Sequence, residues 1–204
     1  MLTLVIAEAE LELVPESLHD HPVIVKSAEK RGKPPEKILL DSNFHHTAMR
    51  MLHESNRRGR PDIVHVSLLC ALESVLNKQG RLKLYVHTRN DDIIYVNPKT
   101  RIPRSYNRFC GLMEELLVRR SAGNLLYAER KFLEDFSQEL PGEKVVMHRE
   151  GNPFCLKKDV VCIIGGFPHG DFKTILPYPR AQIFIEQLPA WTVINELVVR
   201  YELL

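Results

Sequence analysis

Two hydrophobic periods alternate along this chain, and the places where one gives way to the other mark its elements. The clearest is Val160–Ile164, a continuous apolar, β-branched run that predicts a strand buried on both faces. It stops at Gly165-Gly166, with Gly170 close behind, and glycines there let the backbone turn sharply and approach a ligand. A second short strand is predicted over Gln182–Glu186. Pro189 then suits a helix start, and the stripe Trp191, Ile194, Leu197, Val198, Tyr201 gives that helix an apolar face. Two strand ends and a helix start converge, at the edge of a parallel sheet where α/β proteins bind ligands.

From the beginning, Leu2–Val14 opens apolar and then alternates Glu8, Glu10, Glu12 against Ala9, Leu11, Leu13, the pattern of a half-exposed strand. Val23–Ala28 is predicted to pair with or extend that sheet, and Lys30–Lys37 is a basic, proline-bearing linker. Lys37–Asp41 reads as a strand, capped into a helix by Ser42-Asn43 with a stripe through Met49 and Leu52. A helix follows over Asp62–Ser74 (Ile63, Val66, Leu69, Cys70, Leu72), then a hairpin of Leu82–Thr88 with Ile93–Val96. Arg108–Arg120 and Leu125–Leu140 read as amphipathic helices, Lys144–Met147 as a strand and His148–Gly151 as a turn. Strands alternating with helices predict an α/β fold with a mostly parallel sheet and helices on both faces. The simplest organisation is one domain over 1–204, with extended or inserted elements within 1–37 and 75–110.

Composition changes this picture little. No apolar run reaches the roughly 18–20 residues a membrane span needs, and Met1–Val14 carries three glutamates where a cleavable signal would be apolar. The four cysteines form no Cys-x-x-Cys pair, so reduced structural thiols in a cytoplasmic protein are expected. His45, His46, His53 and His65 lack the i, i+4 spacing of helical zinc sites, which favours packing over a metal.

A formal charge of +2 does not by itself announce nucleic-acid binding, but its distribution does. Asn56–Asp62 holds Arg57, Arg58 and Arg60 around Gly59, able to present guanidinium forks to phosphate or to a carbonyl edge. Asp62, favoured in the first turn of its helix, is placed to orient Arg60. Lys99, Arg101, Arg104 and Arg108 then occur with no acid between Asp92 and Glu114, interleaved with Tyr106 and Phe109 on which a base could stack. Either patch alone would read as a solvated loop. Two of them flanking a hairpin favour a nucleic-acid surface.

A dinucleotide site is the first rival for the glycine loop. The run from Gly165 to Gly170 is not Gly-x-Gly-x-x-Gly, and Pro168, Pro177 and Pro179 prevent it from opening a helix. Glu186 sits roughly where a ribose-binding acid would, but no helix end meets a pyrophosphate.

The run Ile164–Phe172, the helix start Leu188–Glu196, Arg60–His65 and the arginine-rich block Val96–Met113 together resemble the Nep1/Emg1 family, in its archaeal-like form. The resemblance implies a SPOUT-class methyltransferase with a C-terminal trefoil knot that uses S-adenosylmethionine. It would act on N1 of a pseudouridine in small-subunit ribosomal RNA during ribosome biogenesis. By position it implies a cofactor site at Met147 and His148, at Gly165, Gly166 and Gly170, and at Ile183, Phe184, Ile185, Glu186, Gln187 and Leu188 leading into Pro189, Ala190 and Trp191. It implies RNA contacts at Arg60, Arg101, Arg104 and Arg108, to which the basic patch adds Arg57, and a catalytic pair of Arg60 held by Asp62. A homodimer is also implied, as are ribosomal proteins as further partners, with no membrane. The alternative is a non-catalytic assembly factor that binds ribosomal RNA, which would not need the glycine loop.

Overall fold

A computed structural model describes residues 1–204. Its frame is one eight-stranded sheet in the order β4-β5-β3-β2-β1-β7-β6-β8. The strands are β1 (Leu2–Ala9), β2 (Leu82–Thr88), β3 (Asp92–Val96), β4 (Ser121–Ala122), β5 (Leu126–Arg130), β6 (Glu143–Pro153), β7 (Val160–Gly165) and β8 (Arg180–Gln182). From β2 through β1, β7 and β6 to β8 the pairing is parallel; β3, β5 and β4 continue the sheet antiparallel.

The continuous apolar runs of β1 and β7 follow from their central place. One face presents Leu2, Leu4, Ile6, Cys162 and Ile164 to the main core. That core is closed by α3 (Pro61–Leu72), α5 (Tyr106–Arg119) and α7 (Ala190–Glu202). Val5, Ala7, Val161 and Ile163 face the other way, against Leu133 and Phe136 of α6 (Leu133–Glu139). Each such fully buried aliphatic side chain contributes roughly 1.5–3 kcal/mol. A third, smaller core joins α1 (Pro22–Arg31) and α2 (Ser42–Met49) through Leu18, Ile24, Ala28, Ile38, Leu40 and Met49. Glu114 of α5, buried, ties this unit down by accepting from Arg31 at 2.5 Å and Lys33 at 2.6 Å. The shortest α-helix, α4 (Val75–Lys78), is a single turn before β2.

Several elements differ from the periodicity. Val23–Ala28 is helical, not a sheet extension: Pro22 starts α1, His21 Nδ1 caps the Val23 N–H, and Gly32 ends it in the left-handed region. Lys37–Asp41 leaves a 3-10 turn at Pro35–Lys37 and makes only one bridge, Leu13 to Leu39, and Asp41 rather than Ser42 caps α2. Leu125–Leu140 divides into β5 and the shorter α6, because Leu126 and Ala128 face inward while Tyr127 and Glu129 face out. His148–Gly151 is no turn but the middle of β6, whose pairing with β8 shifts register there. Gly151 allows it, since a Cβ would lie 2.4 Å from the Ala181 nitrogen. The strand expected over Gln182–Glu186 ends at Gln182. Glu8, Glu10 and Glu12 are buried, not the outer face of a half-exposed strand.

The four cysteines are free, and burial pushes the Cys162 thiol up to about 12 and Cys110 up to about 11. No helix is long and apolar enough to cross a membrane.

Candidate active site

β7 ends beside Met147 of β6, β6 runs on to Pro153 beside β8, and where β7 and β8 end lies a cavity of about 740 Å³. That size suits a nucleoside-sized ligand. Its wall takes in Met147 and His148 from β6, Gly165 at the end of β7, Gly170 from the loop after it, and Ile183, Phe184, Glu186, Gln187, Leu188, Pro189, Ala190 and Trp191 approaching and entering α7. Two expected residues stand outside it. Gly166 packs on β1, where a Cβ would meet the Ala9 Cα at 2.8 Å, and its N–H donates to the Ala7 carbonyl at 2.7 Å. Ile185 points to solvent, 84% exposed. Phe167, Pro168, Asp171, Phe172 and Ile63 also line the cavity; they lie between or beside the recognised residues, and periodicity gave no signal for them.

Asp171 sits at the wall with His148 Nε2 at 3.4 Å and accepts from Arg180 Nη2 at 3.1 Å. Burial alone would raise its carboxyl, but the Phe172 N–H and the nearby His148 and Arg180 hold it below the usual carboxylate range. Gln182 also lines the wall, and its Oε1 is buried without a hydrogen-bond partner. An orphaned acceptor, a glycine-lined loop and apolar walls at Ile183, Leu188 and Trp191 fit a ligand that carries amino groups on a flat heterocycle, as S-adenosylmethionine does.

Arg60 reaches this cavity from the start of α3. Its Nε donates to Asp62 Oδ1 at 2.8 Å and its Nη2 to Asp62 Oδ2 at 2.7 Å, a planar two-point pair that leaves Nη1 unengaged. Pro61 at the first helical position and Asp62 in the first turn fix that geometry locally. The Asp62 hydrogen bonds raise the Arg60 guanidinium above its ordinary value, so it stays charged.

Arg101, Arg104 and Arg108 are exposed and make no ion pair. Arg101 and Arg104 lie on the loop before α5 and Arg108 in its first turn; the segment is fastened by His65 Nε2, 2.8 Å from the Pro103 carbonyl oxygen, and by the Tyr106 hydroxyl, which donates to Asp41 at 2.6 Å. Of the expected stacking aromatics, Phe109 is fully buried against His65, with ring centroids 4.4 Å apart, and Tyr106 is partly buried and tied to Asp41. Phe109 therefore offers no face to a base.

Arg57 also departs from its expected place at the RNA surface. Its side chain is 7% exposed and every nitrogen is engaged, by Glu8, Glu10 and the carbonyls of His169 and Asp171. Its neighbours Arg58 and Arg89 bind Glu12 and Glu10 in the same buried network. Three alternate glutamates, the first within and the others just after a strand buried along its whole length, were the available signal for it, since buried carboxylates require cations.

An α/β sheet with a ligand cleft at the ends of parallel strands, a fixed guanidinium in its wall and unpaired arginines on a segment fastened to the same helix, defines a protein that brings a small cofactor to a polyanionic substrate. The family model described as EMG1/NEP1 methyltransferase matches residues 4–202, and the chain belongs to that family. Ribosomal RNA small subunit methyltransferase Nep1 of Pyrococcus furiosus is 49% identical, covering 98% of this chain and 96% of the relative. The protein of the same name from Thermoplasma acidophilum is 41% identical, over 99% of this chain and 97% of its own. Among solved structures, Archaeoglobus fulgidus Nep1 bound to S-adenosylhomocysteine superposes with a TM-score of 0.90 at 39% identity, covering 98% of this chain and 96% of that one.

Proposed function

We propose that this chain is an S-adenosylmethionine-dependent methyltransferase of small-subunit ribosomal RNA, methylating N1 of a pseudouridine during ribosome biogenesis in the cytoplasm. The observation that carries the reading is the meeting, in one cleft, of the Gly165–Gly170 loop with the two-point Arg60–Asp62 pair. The names of the relatives and the S-adenosylhomocysteine of the structural neighbour support it. Met147, His148, Gly165, Gly170 and the segment from Ile183 to Trp191 hold the cofactor, and Gly166 seats their loop on β1. Bound there, the cofactor supplies a methyl group already activated by its sulfonium.

What remains for the chain is alignment, exclusion of water and management of charge. N1 of the target loses its proton to solvent, and the ring is anionic until the methyl group takes the proton's place. The unengaged Nη1 of Arg60 donates to a ring carbonyl oxygen and stabilises that charge where it develops. Asp62 holds the guanidinium in place, while Arg101, Arg104 and Arg108 grip phosphates around a nucleotide drawn out of its stack. The knotted SPOUT topology, a homodimer and ribosomal-protein contacts complete the proposal; a single-chain mass in light scattering at micromolar concentration would rule out the homodimer.

The test uses two RNA hairpins that differ only in carrying uridine or pseudouridine at one position, with isotopically labelled cofactor. Label should enter the pseudouridine hairpin alone and appear as N1-methylpseudouridine after digestion. Tight RNA binding without transfer would replace this reading with a non-catalytic assembly factor.

A further inference from the structure

The cofactor loop and the Arg60 segment share an anchor that neither role requires. At the end of β1, Glu10 donates its N–H to the Gly166 carbonyl at 3.2 Å and accepts the Arg60 N–H on its own carbonyl at 3.0 Å. Its carboxylate binds Arg57 Nε at 2.8 Å. Arg57 then reaches back into the cofactor loop: Nη1 donates to the Asp171 carbonyl at 2.7 Å and lies 3.4 Å from that of His169, and the guanidinium covers the Phe167 ring at 3.7 Å. Nη2 donates to Glu8 at 2.6 Å, and Glu8 also accepts the N–H groups of Lys173 at 2.9 Å and Thr174 at 2.7 Å. Glu8 itself has φ +49, a left-handed conformation a glutamate keeps only when its surroundings over-determine it.

Resting on the function proposed above, we infer that Arg57 is a positioning residue that couples the cofactor loop to Arg60, so that cofactor and RNA each tighten the binding of the other. A ligand in the cleft presses on the loop at Phe167, His169 and Asp171, and one guanidinium three residues before Arg60 holds all three. A planar five-donor fork serves two carboxylates and two carbonyls together; an ammonium at that place serves one or two of them. A merely structural clamp would support stability but leave the two ligands indifferent to each other.

The experiment is titration of S-adenosylhomocysteine with and without the pseudouridine hairpin, and the reverse titration, for the wild type and Arg57→Lys. In the wild type each ligand should strengthen the other by the same factor, about fivefold or more. In folded Arg57→Lys that factor should fall to about one by the same linkage. An unchanged factor in Arg57→Lys, or no coupling in a wild type that binds both ligands, overturns the inference alone. A wild type that binds neither ligand overturns the proposed function together with it. Should Arg57→Lys not fold, amide exchange in the wild type decides. The N–H groups of Arg57 and Arg58 donate to the Glu54 carbonyl and lie outside the cleft wall. S-adenosylhomocysteine must slow their exchange along with that of the loop, and protection confined to the loop overturns the inference.

Discussion

At Arg60 the side chain matters through its orientation as much as its charge. Asp62 holds two of its nitrogens, and both side chains are partly exposed, at 28% and 32%. Asp62→Asn keeps the shape and a good first-turn residue but loses the charge, so the freed guanidinium samples other rotamers. Methyl transfer should fall by roughly 2 kcal/mol, about thirtyfold, with little loss of stability. Arg60→Lys should do the same, and the double variant should be no worse than either single one; additive losses in that cycle would show independent action. Two buried histidines make a separate prediction. His45 Nδ1 accepts the Asp41 N–H and His87 Nδ1 accepts the Glu8 N–H, so protonation at Nδ1 breaks either bond. Burial lowers both from the ordinary value of 6.5, with Asp41 and Asp91 only partly offsetting it. Because the folded state binds these protons less readily than the unfolded chain, their contribution is complete above about 6.5 and is lost as pH falls below it. The melting temperature should therefore decline from pH 7 to 5. His87→Asn, whose amide oxygen can occupy the Nδ1 place, should flatten that decline.

Among the elements, the glycine loop after β7 separates two kinds of glycine. Gly170 has φ +85, and a Cβ there would lie 3.2 Å from Arg57 Nη1, so valine strains the backbone and crowds the loop. Gly170→Val should abolish S-adenosylhomocysteine binding in calorimetry while RNA affinity survives. Gly166 instead faces the backbone of β1, and Gly166→Val should act through folding, lowering the melting temperature by driving β7 from β1. Loss of cofactor binding in a fully stable Gly166→Val would refute that division. The elements also mark where periodicity reads well. The run Val160–Ile164 was legible because a strand covered on both faces has no polar side. Leu125–Leu140 was not, since apolar residues at 125, 126, 132, 133 and 136 satisfy a helical spacing while β5 obeys a period of two.

For the whole molecule, the basic rim and the cleft should be separable by salt. Arg101, Arg104 and Arg108 lack acidic partners, so on the proposed reading they would bind RNA by releasing counterions. Arg101→Ala with Arg104→Ala should weaken RNA binding and reduce the slope of log affinity against log salt by roughly two, leaving cofactor affinity unchanged; an unchanged slope would remove them from the RNA surface. The same contrast divides sequence from tertiary structure. Local chemistry determined the buried strand and its glycine stop, the Pro189 helix start, the β2–β3 hairpin and the Arg60–Asp62 pair, because each depends on residues near in the chain. Only the tertiary structure decided which arginines stay free at the surface and which are buried. Arg57 looks like Arg101 in sequence, yet it is buried because Glu8 and Glu10, 49 and 47 residues away, are delivered to it by a strand with no solvent face. A buried carboxylate claims the nearest cation whatever else that cation might bind, and which cation is nearest is a property of the fold.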